Sequence, residues 1–278
     1  MTEERRRTIE QLITSRGEVQ LSELEEKFPD ISSMTLRRDL IHLEKMGIVR
    51  RTRGGAISVS RISKPYEDAF SRRAQRDVVA KRAICKEALR LLEADSTIYL
   101  DSGSTLMYFA QMLPDENFLV ITSGPNIAQE LAAKTKPEIL MPGGRLRRNT
   151  LSLSGVWAVD ALAKINIDIA FIATSGYSIE NGFTSGSFEE SEVKSLVLSK
   201  ARTRVMLMDR GKTSRVLPFT FAQMEDIEYL ISDAPLPEEI RIKAEEHNVS
   251  VIVAGGNAND KNQSSQDVWQ GRPPVGGV

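Results

Sequence analysis

The residues best suited to chemistry in this sequence are basic side chains clustered near the N-terminus. The segment from residue 37 to 53 contains six basic residues and only two acidic ones, Asp39 and Glu44, although the net charge of the whole chain is −1. The six are Arg37, Arg38, Lys45, Arg50, Arg51 and Arg53. Guanidinium and ammonium groups bind phosphate oxygens and guanine edges, so the segment is typical of a nucleic-acid contact. A solvated surface can have the same composition, so the spacing of the residues along the predicted helix must decide between a nucleic-acid contact and a solvated surface.

The spacing predicts a helix over residues 33–45, capped by Ser32. At 100° per residue, Leu36, Leu40 and Leu43 share one side of this helix, and Gly47 follows them. The opposite side collects Met34, Arg38, Ile41 and Lys45, flanked by Thr35, Arg37 and His42. Apolar side chains beside arginines suit thymine methyl groups next to guanine edges, so this side is predicted to contact bases. The alternative is that Met34 and Ile41 pack against a neighbouring domain.

Two further helices are predicted to position this one. The first covers about residues 2–15, with Ile9, Leu12 and Ile13 on its apolar side. Ser22 and Glu25 have capping-box spacing, which predicts that Ser22 caps the second helix.

A two-stranded wing is predicted over residues 47–57, where two apolar stretches flank a basic turn. Arg51 and Arg53 near its tip are expected to contact phosphates. Gly54 and Gly55 are expected to reverse the chain through φ values closed to other residues.

The run 34–40, followed by Leu43, Gly47, Arg50, Arg51 and residues 54–56, resembles the DeoR family of bacterial sugar-metabolism regulators. The resemblance implies an α+β winged helix-turn-helix DNA-binding domain over residues 1–57. Its candidate DNA-binding residues are Ser33, Met34, Thr35, Arg37, Arg38, Ile41, Lys45, Arg51, Arg53 and Gly54. Two departures, the stretch 28–31 and Arg53 where the family often has histidine, could alter the operator sequence.

After a polar linker predicted at 58–76, short apolar runs alternate with helical patterns from residue 77 to 254. This alternation predicts an α/β domain with a mainly parallel sheet. Ligands of such sheets bind beyond the carboxyl ends of the strands, so those ends are the places to search.

Three predicted strands end in small polar residues: 101–105, 122–124 and 142–144. Backbone N–H groups and hydroxyls in such loops can surround a phosphate, although a tight turn without ligand has the same composition. Further along, Glu190 and Lys194 have i, i+4 spacing and Lys212 follows another strand end. Lys212 could pair with a phosphate, and Asp101 or Glu190 with sugar hydroxyls. For Glu190 and Lys194 an ordinary helical salt bridge is an equal alternative.

This region also resembles the effector domain of DeoR-type regulators, whose fold is shared with ribose-5-phosphate isomerase and acyl-CoA transferase relatives. Further matching landmarks are Arg73, Lys81, Asp168 to Ile172, Gly182 and Asp209. The resemblance implies that the domain binds a phosphorylated sugar or related metabolite and forms a homodimer or homotetramer. The candidate effector-binding residues are Asp101, Gly103, Ser104, Thr105, Thr122, Ser123, Gly143, Gly144, Glu190, Lys194 and Lys212. Arg210 stands where the family often has serine, which could change the effector.

The composition disfavours secreted proteins stabilised by disulfides and proteins that span a membrane. Cys85 is the single cysteine, and no apolar run approaches the roughly 20 residues that cross a bilayer. We therefore expect a cytoplasmic protein without membrane contact, cofactor or metal site. Residues 255–278 are rich in Gly, Asn, Ser and Pro, which predicts a disordered tail.

The sequence as a whole predicts a non-enzymatic transcriptional regulator that binds double-stranded operator DNA. We expect it to repress a carbohydrate-metabolism operon under the control of a phosphorylated sugar. The alternative is a sugar-phosphate isomerase or transferase with an accessory DNA-binding module. An isomerase needs a base near the substrate carbon, but residues 174–177 contain no carboxylate and the next is Glu180.

Overall fold

In the computed structural model the chain divides into two compact units, Met1–Glu67 and Asp68–Val278, called here the N-terminal and C-terminal units. The structure describes residues 2–16, 18–46, 48–52, 54–58, 68–213 and 215–255. Within these ranges, no helix is both long and apolar enough to span a membrane.

The N-terminal unit packs three helices against a small antiparallel sheet. The helices are α1 (Thr2–Arg16), α2 (Leu21–Lys27) and α3 (Ser33–Lys45), and the strands are β1 (Glu18–Gln20), β2 (Val49–Arg51) and β3 (Gly55–Ser58). Strand β3 lies between β1 and β2. All three helices and the sheet contribute to one core: Ile9, Ile13, Val19, Leu24, Leu36, Leu40, Leu43, Val49 and Ala56. The predicted winged helix-turn-helix is confirmed.

Helix α2 begins earlier than the sequence pattern predicted. Its first residue is Leu21 and its N-cap is Gln20, whose backbone N–H donates to Glu23 Oε2 at 2.9 Å. The prediction that Ser22 caps this helix with Glu25 was wrong. Gln20 ends β1, so the helix follows the strand directly and takes its capping carboxylate from Glu23.

The C-terminal unit is built on a seven-stranded sheet in which all the neighbouring strands pair in parallel. From edge to edge the strands are β15 (Ser250–Val253), β14 (Tyr229–Ser232), β12 (Ala201–Met208), β9 (Ile167–Ala173), β4 (Thr97–Leu100), β5 (Leu119–Thr122) and β6 (Glu138–Leu140). The predicted α/β architecture with a mainly parallel sheet is confirmed.

Helices cover both faces of this sheet. They are α4 (Phe70–Gln75), α5 (Val78–Ala88), α6 (Ser104–Met112), α7 (Pro125–Leu131), α8 (Val156–Leu162), α9 (Phe188–Lys200) and α10 (Glu238–Glu246). Successive side chains of a strand point to opposite faces. Ile98 and Leu100 accordingly pack with α5, α6 and α7, whereas Tyr99 packs in the core that contains α8, α9 and α10.

Five short strands lie outside the main sheet and were not predicted. Strands β7 (Arg145–Arg147) and β8 (Ser152–Ser154) form a hairpin, and β10 (Gly176–Ser178), β11 (Gly182–Ser185) and β13 (Phe219–Ala222) form an antiparallel sheet. Each has only three or four residues, too few to produce a clear alternation of apolar and polar side chains.

The segment predicted as a linker at 58–76 contains regular structure. Ser58 ends β3, residues 59–67 lie outside the described residues, and Phe70–Gln75 form α4. The predicted tail 255–278 lies outside the described residues except for Gly255.

Helix α4 is tied to three parts of the C-terminal unit. The backbone N–H of Phe70 donates to the Asn149 carbonyl at 2.8 Å, and the Tyr108 hydroxyl of α6 donates to the Ala74 carbonyl at 2.8 Å. The ammonium of Lys81 on α5 donates to the carbonyls of Arg73 and Arg76. The bonds from Tyr108 and Lys81 satisfy carbonyls at the end of α4, where a helix has no partners of its own.

The order of the strands reverses direction between β4 and β9. From β4 the chain continues to β5 on one side, whereas β9 pairs with the other side of β4. At such a point the connections leave a crevice beyond the carboxyl ends of the two strands, which is where open parallel sheets bind ligands.

Candidate DNA interface and effector site

Helix α3 begins where the sequence predicts. Ser32 is its N-cap, and the Ser32 hydroxyl accepts from the backbone N–H of Thr35 at 3.3 Å. Leu36, Leu40 and Leu43 are all buried, as predicted, because α1 and α2 pack on that side.

The opposite side of α3 carries most of the predicted DNA-binding residues. Ser33, Arg37, Arg38 and Lys45 are exposed, and Met34 is 61% exposed, an unusual position for methionine. Thr35 and Ile41 are half-buried. The helix therefore brings seven of the predicted residues together on one element.

The sequence did not predict that Asp39, on the same helix as the candidate DNA-binding residues, is buried and bound by arginines. The sequence pattern marks it only as an acidic residue within the basic patch, but it is 1% exposed. Its Oδ2 accepts from Arg5 Nε at 2.7 Å and its Oδ1 from Arg6 Nε at 2.8 Å. No local pattern reveals partners more than thirty residues away, and the run of arginines at 5–7 is the only signal in the sequence that could have found them.

The wing is fastened to the end of α3 through Arg51. Its backbone N–H donates to Glu44 Oε1 at 2.9 Å and its Nε to Glu44 Oε2 at 2.6 Å. Both side chains remain partly exposed, so a phosphate approaching Arg51 would compete with a screened ion pair. Arg53, the other predicted wing contact, lies outside the described residues.

The role expected for Gly54 and Gly55 was wrong. Among the described residues neither glycine has a positive φ. A Cβ on Gly55 would lie 1.9 Å from the Val19 carbonyl oxygen, so this glycine permits β3 to approach β1. A Cβ on Gly54 would lie 2.7 Å from Gln20 Oε1, the end of a flexible side chain.

In the C-terminal unit, a buried ion pair lies beyond the carboxyl ends of β4 and β9. Asp101, directly after β4, binds the ammonium of Lys194 on α9. Lys194 Nζ also donates to the Ala173 carbonyl at 2.7 Å, and the Ala173 N–H donates to Asp101 Oδ2 at 3.1 Å. The two predicted site residues, 93 positions apart, thus meet at the ends of adjacent strands.

Glu190 lies one turn before Lys194 on α9 and is 5% exposed. Its Oε1 accepts from the hydroxyls of Thr150 and Ser152 at the start of β8. Arg147 Nε lies 3.7 Å from the same oxygen. Lys194 therefore binds Asp101 directly after β4, whereas Glu190 binds Thr150 and Ser152 near the start of β8.

The loop after β4 leads into α6 as predicted. Ser104 and Thr105 are buried in the first turn of that helix. Gly103 has φ +148°, and a Cβ there would meet nothing within 4 Å. Open space in front of this loop is what an approaching ligand requires.

Thr122 and Ser123, at the end of β5, have partners inside the fold. Thr122 Oγ1 accepts from the Gly124 N–H at 3.1 Å, and Ser123 Oγ from the Tyr99 hydroxyl at 3.0 Å. The Ser123 carbonyl accepts from the Leu153 N–H at 2.7 Å, which brings β8 to the end of β5.

Gly143 and Gly144 both have positive φ, +75° and +109°. A Cβ on Gly144 would lie 2.6 Å from the Ser154 carbonyl oxygen, so Gly144 permits a close approach to β8. A Cβ on Gly143 would meet nothing within 4 Å.

Lys212 follows β12, which lies two strands from β4 in the sheet. Its Nζ lies 3.9 Å from Asp209 Oδ2. Burial lowers the pKa of nearby Lys81 to about 8; the charge of Asp209 raises it and that of Lys212 lowers it further. The end of β12 therefore gathers several charged groups.

Some buried polar atoms of the described residues have no hydrogen-bond partner: Nδ2 and Oδ1 of Asn126, Oγ of Ser154 and Oγ of Ser232. Asn126 lies three residues after Ser123, and Ser154 ends β8. Neither was predicted as a site residue. Unpaired buried polar groups cost free energy, roughly 1–3 kcal/mol each, so a polar ligand in this region would be stabilised by them.

The region beyond β9, where an isomerase would need a base, carries none in the described residues 174–177. The Thr174 hydroxyl donates to the Gly176 carbonyl at 2.7 Å, and Glu180 is exposed between β10 and β11.

Comparison with known proteins gives the same division of the chain. A model of the DeoR-like helix-turn-helix domain matches residues 5–62, and one of the DeoR C terminal sensor domain matches residues 76–234.

Relatives extend the similarity over nearly the full length. The HTH-type transcriptional regulator GlpR of Haloferax volcanii is 31% identical over 250 residues, which is 90% of this chain and 96% of that protein. The L-fucose operon activator of Haemophilus influenzae is 27% identical over 243 residues, 87% of this chain and 96% of that protein. Among solved structures, ribose 5-phosphate isomerase A of Methanocaldococcus jannaschii is similar with a TM-score of 0.36 and 19% identity, over 49% of this chain and 54% of that chain.

The sensor-domain match alone covers more than half of the residues, and the helix-turn-helix match lies on the unit that presents α3. The chain therefore belongs to the DeoR family of transcriptional regulators.

Proposed function

We propose that this regulator represses a carbohydrate-metabolism operon and that a phosphorylated sugar, bound at the carboxyl edge of the seven-stranded sheet, controls its affinity for the operator. The observation that carries the proposal is the buried pair of Asp101 and Lys194 beyond the carboxyl ends of β4 and β9, with Glu190 one helical turn away. Buried charges are costly unless paired, so they are concentrated at functional sites.

On the DNA side, we assign base contacts to the exposed side of α3 and phosphate contacts to the wing. Arginines reach guanine edges and phosphates, and Met34 and Ile41 suit thymine methyl groups. The residues assigned are Ser33, Met34, Thr35, Arg37, Arg38, Ile41 and Lys45 on α3, with Arg51, Arg53 and Gly54 in the wing.

On the effector side, we assign the phosphate to the loop 103–105 and Lys212. Helix α6 begins at Ser104, and a helix N-terminus favours negative charge. We assign the sugar hydroxyls to Asp101, Glu190 and the polar residues around β5 and β8. Carboxylates accept two or more hydrogen bonds each, and Asn126 can both donate and accept.

The relatives support a carbohydrate operon, since one of them is named for L-fucose. A homodimer or homotetramer would place two α3 helices on half-sites one DNA turn apart, or a multiple of it.

The DNA part of the proposal is tested by selecting fragments of genomic DNA that the purified full chain retains, and sequencing them. We expect fragments from upstream of carbohydrate genes, containing two half-sites. A promoter from the selected set, fused to a reporter, should be less active when the regulator is present. Higher activity would contradict repression while leaving DNA binding intact.

The effector part is tested by thermal unfolding with pentose and hexose phosphates, the matching free sugars, and inorganic phosphate. One sugar phosphate should raise the unfolding temperature and shift operator affinity, and Glu190→Gln should weaken both effects. A second assay measures conversion of the same sugar phosphates. Turnover would support the isomerase alternative, and no stabilisation by any phosphate would contradict the assigned ligand class.

A further inference from the structure

Helix α3 carries a carboxylate where its neighbours on the same side are core leucines. Asp39 is 1% exposed and lies between exposed Arg38 and buried Leu40. An aspartate in this position is costly to desolvate, and apolar residues of similar volume often give equal or greater stability than a buried ion pair. Core stability alone therefore gives little reason for a carboxylate here.

Both oxygens of Asp39 are occupied by α1. Arg5 Nε binds Oδ2 at 2.7 Å and Arg6 Nε binds Oδ1 at 2.8 Å, and the two arginine side chains are only 12% and 24% exposed. A single contact would let one helix turn about it. Two contacts from adjacent residues of α1, one to each oxygen, fix the rotation of α3 about its own axis as well as its distance from α1.

Rotation of α3 matters for base contacts more than for packing. Arg38 directly precedes Asp39 in the sequence, and its side chain is exposed to solvent. Each residue of a helix turns 100° from the last, so a rotation of α3 by even a fraction of that angle moves Met34 and Arg38 away from the base edges they would contact. The apolar contacts of the leucines are less directional than hydrogen bonds, so they restrain a small rotation less.

The charges of this cluster are also compatible with a nearby polyanion. A carboxylate on a DNA-contacting helix repels phosphates when it is alone. Two guanidinium groups around Asp39 leave a net positive charge at the junction of α1 and α3.

We infer, on the basis of the proposed assignment of base contacts to α3, that Asp39 is a positioning residue for DNA recognition: held by Arg5 and Arg6, it sets the rotation of α3 and thereby aims the exposed side of that helix at the bases.

The test compares sequence-specific with non-specific binding. The full chain and its Asp39→Asn variant are titrated with a duplex selected by the wild-type protein and with a random duplex of equal length, at one salt concentration. We expect Asp39→Asn to lose about tenfold or more of its affinity for the selected duplex, the range of one or two base contacts. Affinity for the random duplex should stay within about threefold, since it depends on phosphate attraction.

The matched control is Glu26→Gln, which removes one negative charge from an exposed position on α2. It should leave the ratio of the two affinities unchanged. A purely structural role for Asp39 makes a different prediction, since partial unfolding lowers both affinities by the same factor. Equal losses for the two duplexes, or no loss for either, would overturn the inference.

Two further variants keep the test decisive if Asp39→Asn does not fold. Arg5→Met and Arg6→Met each leave Asp39 with one arginine, and circular dichroism at the assay temperature measures whether the helices remain. With helices intact, each variant should show a smaller fall in the same affinity ratio. If the helical signal is lost in all three variants, the cluster serves the fold as a whole and the positioning role is rejected.

Discussion

Lys194 and Asp101 meet across the carboxyl ends of two neighbouring strands, and both are more than nine-tenths buried. Lys194 reaches this position from α9 and also binds the carbonyl of Ala173. The pair thus joins helix α9 to the carboxyl ends of the paired strands β4 and β9.

Breaking this pair should destabilise the C-terminal unit strongly. Either Asp101→Asn or Lys194→Met removes one charge of this buried pair, and we expect a loss of about 3–5 kcal/mol in the free energy of unfolding. The double variant should lose less than the sum of the two, because it removes both charges together. Denaturant unfolding of all four proteins measures the coupling, and additive losses would show that the two side chains act independently.

Replacing Arg37 and Arg38 by alanine should abolish operator binding without affecting the fold. Both side chains are exposed, so their removal costs little core stability. For a random duplex, which the variant still binds through its other cations, the slope of log affinity against log salt should become shallower by about 1 for each phosphate that the protein no longer neutralises. Lys27→Ala, an exposed cation on α2, is the control and should leave the slope unchanged. Retained operator affinity in the double variant would contradict the assignment of DNA contacts to α3.

Gly55→Ala should destabilise the N-terminal unit, and Gly54→Ala should do so much less. The added methyl at residue 55 would lie 1.9 Å from a backbone oxygen of β1, whereas at residue 54 it meets only the end of the Gln20 side chain. Strands cannot separate without loss of the β1–β3 pairing. Thermal unfolding of the two variants should give clearly different transition temperatures. Equal effects would contradict the steric reason given for a glycine at residue 55.

Lys81 should make the stability of the C-terminal unit depend on pH. Burial lowers its pKa from the usual 10.5 to about 8. Below pH 8 the folded and unfolded chains both hold the proton, and the cost of burying the charge is fully present. Between about pH 8 and 10.5 the unfolded chain holds a proton that the folded chain has released, so the free energy of unfolding rises with pH.

Lys81→Met should remove that rise. Unfolding measured at several pH values across this window gives the slope for each protein, and the wild-type slope should be the more positive. Identical slopes would show that the pKa of Lys81 is unchanged by folding.

Local patterns predicted the elements that local forces determine. The hydroxyl of Ser32 and the leucines of α3 lie within one helix, so spacing alone located its start and its buried side. The alternation of apolar and helical segments likewise predicted the parallel α/β sheet, whose central strands are largely apolar because they are buried on both faces.

Contacts between residues far apart in the chain could not be predicted from the sequence. Nothing near Asp39 indicates that Arg5 and Arg6 bind it, and Asp101 gives no sign that Lys194 is its partner. Gly55 shows the same limit in another form: a glycine permits unusual φ angles and also close approach of another strand, and only the neighbouring strand tells which applies.

Helix α4 has only six residues, fewer than a helix needs to be stable alone in water. It persists because Tyr108, Lys81 and the Asn149 carbonyl bind its backbone. A fragment cut at Asp77, where the sequence pattern starts the second domain, would therefore expose the hydroxyl and the ammonium that α4 covers. A fragment that begins at Asp68 retains their partners, so the smallest intact sensor starts there, nine residues earlier than composition alone would set it.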